Sequence, residues 1–196
     1  MTITRTCLLL GKIKDTLKVK RAISKKKWQV ICKNKIISIN DLRNIDLIIT
    51  FNYRHILKKI ILKKLKRPAI NLHISYLPFN RGAHPNFWSF VENSPKGVSI
   101  HEIDEGLDTG PIIYRKKISF NINKKKNDDF FKTNQILFFE IQKLFFKKIN
   151  QILNKKYIEK KQKKIGTFHY RNDLPIFVRK NWKLKIKQVL KKYKKE

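Results

Sequence analysis

The sequence predicts an α/β fold: a mostly parallel, twisted sheet with flanking helices. Three observations predict it. Apolar runs of strand length, such as Cys7-Leu8-Leu9-Leu10 and Leu47–Phe51, recur along the chain. Lysine-rich stretches with helix-period apolar residues lie between them, and Gly11 and Pro68 punctuate the alternation. Strands alternating with helices favour parallel pairing through right-handed crossovers, with active sites at the carboxyl ends of the strands.

The elements follow in order. Residues 4–10 read as a first strand, followed by Gly11 and a helical stretch over 15–24. Trp28 to Cys32 is a second apolar burst of strand length. The run 47–51 is the kind that a parallel sheet buries on both faces. Over 54–65 the pattern is helical, with Ile56, Leu57, Ile60, Ile61 and Leu65 able to share one broad face. Pro68 ends that helix, and 69–74 gives another short strand. Residues 78–85 are expected to form a loop holding Gly82, and 86–92 a short helix. Two strands follow, at 97–104 and 112–120, joined by the turn 105–111. Asn127-Asp128-Asp129 suits a helix start. The helix is expected to run to about Lys156, with Phe130, Phe131, Leu137, Phe138, Ile141 and Phe145 among its apolar face. That face is expected to cover the sheet, with a share at a homodimer interface as the lesser reading. Residues 1–156 are thus read as the catalytic domain, and 157–196 as a basic appendage packing on it.

At 196 residues and 41% hydrophobic content the chain can bury a core without disulfide or metal staples. Its 47 Lys+Arg against 14 Asp+Glu give a formal charge of +33, which attracts polyanions and phosphorylated substrates. The lysines, however, sit between helix-period apolar residues, as Lys58, Lys59, Lys63 and Lys64 do, and arginine is sparse. A solvated face produced by compositional bias is therefore favoured over a nucleic-acid surface. Cys7 and Cys32 have no zinc-type spacing and read as reduced thiols. No apolar run suits a signal segment or a membrane span, so a cytoplasmic protein without a membrane partner is expected.

Two segments carry candidate chemistry. In Asn71-Leu72-His73-Ile74-Ser75, residues 71 and 73 share a strand face, and a buried strand rarely places two polar side chains together unless something uses them. Such a pair can stabilise charge developing on a carbonyl oxygen. It fits equally well an Asn and a His satisfied by loop backbone. In Asp104-Glu105-Gly106-Leu107-Asp108-Thr109-Gly110 three acids crowd into a turn with two glycines. A carboxylate held there can orient a histidine or take a proton, but the segment taken alone is better read as a polar hairpin whose glycines only serve the turn.

Taken with Tyr76-Leu77-Pro78, Arg81-Gly82-Ala83, Gly97-Val98-Ser99-Ile100-His101 and Pro111-Ile112-Ile113, these segments resemble the 10-formyltetrahydrofolate-dependent formyltransferases. Four blocks in the right order and spacing make this a specific signal over about 47–119.

The resemblance implies a Rossmann-like sheet, the formyltransferase fold, with folate in a cleft at the strand ends. It implies Asn71, His73 and Asp108 as catalytic residues: Asn71 and His73 stabilise the oxyanion formed when an amine attacks the formyl carbon, and Asp108 orients His73. By position, folate rests against His55, Ile56 and Leu57, and against Asp104, Glu105, Gly106 and Leu107. Tyr53, Arg81 and Gly82 are substrate-binding candidates, and no metal is implied. Phe87 and Trp88 read as core. Asn71 arrives early for the family, so part of an N-terminal strand-helix unit is expected to be missing. The tRNA enzyme's C-terminal domain is expected to be missing too, and Gly11 stands apart from any glycine-rich phosphate loop. The blocks 82–89 and 52–56 are more similar to the enzymes acting on nucleotide-linked amino sugars, so a phosphorylated amino-sugar acceptor is expected. Initiator tRNA or glycinamide ribonucleotide are the alternative acceptors. Hydrolysis of 10-formyltetrahydrofolate, or folate or polyanion binding without catalysis, are the readings from another class.

Overall fold

The structure is a computed structural model that describes residues 4–162 and 166–193. Within the expected appendage 157–196, residues 163–165 and 194–196 lie outside the described residues. A six-stranded sheet runs in the order β2-β1-β3-β4-β6-β7. Its members are β1 (Thr6–Leu10), β2 (Gln29–Lys33), β3 (Leu47–Phe51), β4 (Ile70–His73), β6 (Gly97–Glu102) and β7 (Ile112–Lys117). β1 pairs in parallel with both β2 and β3, and β3 pairs in parallel with β4. β1 and β3 are buried at every residue, as strands covered on both faces must be. β2, at the sheet edge, keeps Gln29 and Ile31 exposed.

Gly11, directly after β1, has φ +148, and a Cβ there would sit 2.0 Å from the Phe51 carbonyl oxygen. Its role is this close backbone approach at the carboxyl ends of β1 and β3.

The chain divides into two compact units. The first comprises Met1–His73, Ile100–Tyr114 and Gln142–Lys161. Its core joins Leu8 and Leu10 of β1 and Ile48 of β3 with Ile37, Ile45, Leu57, Ile61 and Ala69. Helix α1 (Ile13–Ser24) buries Thr16, Val19 and Ile23. Helix α2 is only Lys59–Lys64, shorter than the expected 54–65. Asn52 adopts φ 51 and Lys58 is extended, so 54–58 form a loop and the helical phase is set from Lys59. Ile61 is consequently buried, while Ile60 and Ile56 face solvent at 54% and 76% exposure.

The second unit comprises Ile74–Ser99, Arg115–Ile141 and Gln162–Glu196. Its core gathers Phe87, Trp88 and Phe90 of α3 (Pro85–Val91), Phe130, Leu174, Val178 of α5 (Ile176–Lys180), and Ile186 and Val189 of α6 (Ile186–Tyr193). Arg81–Gly82, expected in a loop, forms strand β5 and pairs in parallel with β8 (Phe168–His169). Two-residue strands depend on a distant partner and leave no local period.

Helix α4 spans Phe130–Leu153. Its buried stripe is Phe130, Thr133, Leu137, Ile141, Phe145 and Ile149, at near-constant spacing of four. Phe131 falls off that stripe and is 44% exposed, against expectation. Among the described residues no helix is long and apolar enough to cross a membrane. Cys7 is buried and Cys32 partly so, both as free thiols, and burial raises both thiols above their ordinary value.

The carboxyl end of α4 is closed by a side chain. Arg67 donates from Nη2 to the Ile152 carbonyl at 2.7 Å and from Nη1 to the Leu153 carbonyl at 3.0 Å. A cation there satisfies unpaired carbonyls and complements the helix dipole. Arg67→Ala is expected to destabilise the protein by about 1–3 kcal/mol in denaturant unfolding. Arg67→Lys should recover part of that loss.

Candidate active site

Three strands of the first unit bring the site together. Thr50 is the penultimate residue of β3 and stands in register with Asn71 on β4. His73 ends β4. His101, on the next strand in the sheet order, reaches Asn71 from the other side. The turn after β6 then supplies Asp108.

Asn71 is the hub. Its Oδ1 accepts from the Thr50 hydroxyl at 2.8 Å. Its Nδ2 lies 3.1 Å from His101 Nε2 and donates to Asp108 Oδ1, also at 3.1 Å. A carboxylate only accepts, so Asp108 fixes which end of the amide is nitrogen. His101 Nδ1 lies 2.7 Å from the Glu102 carbonyl oxygen, which can only accept. In the neutral ring Nδ1 therefore carries the hydrogen, and Nε2 accepts from Asn71.

His73 Nε2 lies 3.7 Å from Asp108 Oδ2, an ion-pair distance longer than a hydrogen bond. The two imidazoles meet edge to face, with centroids 6.0 Å apart. The side chains of His73 and Asp108 are only 10% and 14% exposed, so charge placed there interacts with neighbours more strongly than it would in water.

Backbone geometry holds Asp108 in place. It adopts the left-handed conformation at φ 52, which Asp tolerates better than most residues and which recurs at functional sites. Asp104 Oδ1 accepts from the Gly106 N–H and from the Thr109 hydroxyl, tying the turn to itself. Gly110 passes so close to β6 that a Cβ would sit 1.9 Å from the Glu102 carbonyl oxygen.

Asn71, His73 and Asp108 are therefore brought together as a cluster, and Thr50 and His101 join it. His101 was legible only as part of a family block. A histidine in a strand buried along its length is the same kind of signal as Asn71 and His73 give. Thr50 gave only the weaker signal of being the single polar side chain in Leu47–Phe51.

The residues expected against folate lie on two segments of the same unit. Lys59 at the start of α2 pairs with Glu105 at 2.7 Å, which links the segment after 55–57 to the acidic turn. Asp104, Glu105 and Gly106 are exposed and Leu107 is partly buried. The Ile56 side chain is open to solvent, and the His55 ring meets Tyr53 edge-on at 5.2 Å. Leu57 instead belongs to the hydrophobic core, which leaves its backbone as the part able to meet a ligand. Tyr53 is tied by its hydroxyl to the Lys35 carbonyl at 2.7 Å. Arg81 and Gly82 belong to the second unit, where Arg81 grips Gln162 Oε1 through Nε and Nη2 at 3.1 and 3.0 Å. Phe87 and Trp88 are core residues of that unit, and Trp88 stacks on His169 at 4.0 Å. Among the described residues no cluster of His, Cys, Asp and Glu is arranged to hold a metal. Two open concavities of about 300 and 470 Å³ lie in the first unit; neither is lined by Asn71, His73 or Asp108.

Residues 3–137 match the sequence profile of the Formyl transferase family. The methionyl-tRNA formyltransferase of Thermodesulfovibrio yellowstonii is 47% identical over 79 residues, covering 40% of this chain and 26% of that protein. The GDP-perosamine N-formyltransferase of Brucella melitensis is 39% identical over 75 residues, covering 38% and 29%. The match thus spans about a quarter of the length of these curated relatives. One solved structure is similar over nearly its whole length: the formyltransferase PseJ from Anoxybacillus kamchatkensis, in complex with UDP-4,6-dideoxy-4-formamido-L-AltNAc and tetrahydrofolate. It superposes with a TM-score of 0.83 at 35% identity, covering 94% of this chain and 97% of that one.

Gly110→Ala is expected to force the backbone of the acidic turn away from β6, at a cost of about 1–3 kcal/mol. Thermal unfolding measures that cost directly. A melting temperature equal to that of the parent protein would contradict the close approach.

Proposed function

The chain belongs to the formyl transferase family, and from that membership we propose that it moves a formyl group from 10-formyltetrahydrofolate to a primary amine on a nucleotide-linked amino sugar. The observation that carries the reading is the cluster of Asn71, His73 and Asp108 at the strand ends. Those groups suit acyl transfer to an amine. The amine nitrogen adds to the formyl carbon and must lose a proton, while the departing folate nitrogen must gain one. Asn71 and His73 offer N–H groups to the negative charge developing on the formyl oxygen. Asp108 orients His73 and favours its protonated form, and through water it can help carry the proton from amine to leaving nitrogen.

The folate itself is a substrate in this scheme. Backbone of 55–57 and of 104–107 would hold its pterin, and the exposed Ile56 side chain offers an apolar surface beside it. Tyr53, Arg81 and Gly82 are proposed contacts to the acceptor. Residues 1–156 are proposed as the catalytic part, with 157–196 as its basic appendage and the cytoplasm as its location.

The amino-sugar acceptor is supported by the near full-length similarity to a structure holding a UDP-linked formamido sugar and tetrahydrofolate. A second reading, formylation of charged initiator tRNA, is favoured by the 47% identical segment shared with a tRNA enzyme and by the +33 charge. Salt separates the two. A tRNA substrate makes binding fall steeply with ionic strength, and a nucleotide sugar does so mildly.

Purified protein is expected to consume 10-formyltetrahydrofolate only when a dTDP-, UDP- or GDP-linked amino sugar is supplied. Amine-independent turnover would instead identify a hydrolase. Asn71→Ala, His73→Ala and Asp108→Asn, the last chosen because Asn tolerates the left-handed backbone, should each lower the transfer rate by roughly a hundredfold or more. His73→Ala and Asp108→Asn should melt close to the parent, while Asn71→Ala should fold with a lowered melting temperature because it leaves the buried Thr50 hydroxyl without its acceptor. Near-normal rates in any one variant would remove that residue from the mechanism.

A further inference from the structure

We propose that the Thr50 hydroxyl is a positioning residue for the transfer step, because it holds the Asn71 amide with its N–H groups turned toward Asp108 and the reacting atoms. The inference rests on the formyl-transfer reading above.

Four observations carry it. Thr50 stands in register with Asn71 across the parallel β3–β4 pair, which places the two side chains next to each other. Its hydroxyl lies 2.8 Å from Asn71 Oδ1, a good hydrogen-bond length. It is 4% exposed, so water does not readily replace the bond. The strand around it is otherwise apolar: Leu47, Ile48, Ile49 and Phe51 are each at most 1% exposed. A polar side chain in that position requires a partner, and Asn71 Oδ1 is that partner.

The chemistry gives the bond a purpose beyond satisfying a buried hydroxyl. Asn71 bonds at both ends of its amide. On the nitrogen side the partners are Asp108 and His101, and a developing oxyanion must compete with them for an N–H. If those were the only contacts, the amide would rotate as the nitrogen side exchanged partners. Thr50 anchors the opposite end, so the N–H directions stay fixed while their acceptor changes. Donation into Oδ1 also polarises the amide and strengthens its N–H groups as donors. Both effects act most strongly when charge is greatest, in the transition state, and therefore appear in kcat more than in KM.

The test compares Thr50→Val, which keeps the branched shape and removes the hydroxyl, with Thr50→Ser, which keeps the hydroxyl. Steady-state transfer is measured with 10-formyltetrahydrofolate and whichever dTDP-, UDP- or GDP-linked amino sugar supports the fastest turnover. For Thr50→Val kcat is expected to fall about ten- to a hundredfold, with KM for both substrates within about twofold. Thr50→Ser should retain kcat within about threefold. Nitrogen-15 spectra give a readout independent of turnover: the two Asn71 side-chain N–H signals, distinct and slowly exchanging in the parent, should converge and exchange faster in Thr50→Val. Parent-like kcat in Thr50→Val would overturn the inference while leaving the transferase reading intact. Equal losses in Val and Ser with unchanged Asn71 signals would overturn it too, since the effect would then be one of packing. A parent protein that transfers no formyl group to any acceptor would sink the transferase reading, and this role with it.

Discussion

The amide of Asn71 is the point on which the site depends. It accepts from Thr50 on β3, and on β4 it donates toward His101 of β6 and to Asp108 of the following turn. Those bonds can coexist only if the strand register is correct to one residue, because a one-residue slip turns Asn71 and His73 to the opposite face. The apolar runs that drive sheet formation therefore also set the chemistry. The acidic turn meets the same constraint from the other side. Gly110 must lie against Glu102, and Asp108 must take the left-handed conformation, before its carboxylate reaches Asn71 and His73.

The chain's few acids are engaged locally. Asp128 bonds Lys132 and Lys185, whose hydrogen bonds hold its carboxyl down to about 2. Asp46 accepts from the Thr6 backbone and from Lys66, and the Thr6 N–H is the main cause of its lowered value. In the second unit Glu92 accepts from Asn80, Thr167 and His169. This pairing leaves the net charge unchanged, and 47 Lys+Arg against 14 Asp+Glu make the long-range field strongly positive. Anionic substrates are drawn toward such a surface, and an account of acceptor choice has to separate that general attraction from contacts in the site.

Much of the fold was legible in the sequence because its central strands carry the strongest signal. Leu47–Phe51 is legible to the residue, and the strand holding Asn71 and His73 is legible to within one residue at each end, 69–74 against Ile70–His73. Periodicity failed where a distant neighbour decides the outcome. Ile56 and Ile60 fit a helix face, yet the loop before Lys59 resets the helical phase and turns both to solvent. Arg81–Gly82 becomes a strand only because Phe168–His169 pairs with it. Of the site, the family blocks marked Asn71, His73 and Asp108, while the parts played by Thr50 and His101 follow from strand register and tautomer.

The central claim is that Asn71 and Asp108 act as one hydrogen-bonded unit in formyl transfer, and a double-mutant cycle tests it most directly. The transfer rate constant is measured for the parent, Asn71→Ala, Asp108→Asn and the double variant at saturating substrates. Strong non-additivity is expected, with the double variant little slower than the worse single one, because Asn71→Ala removes the donor and Asp108→Asn removes the carboxylate charge, and the unit needs both. Free-energy losses that simply add would contradict it.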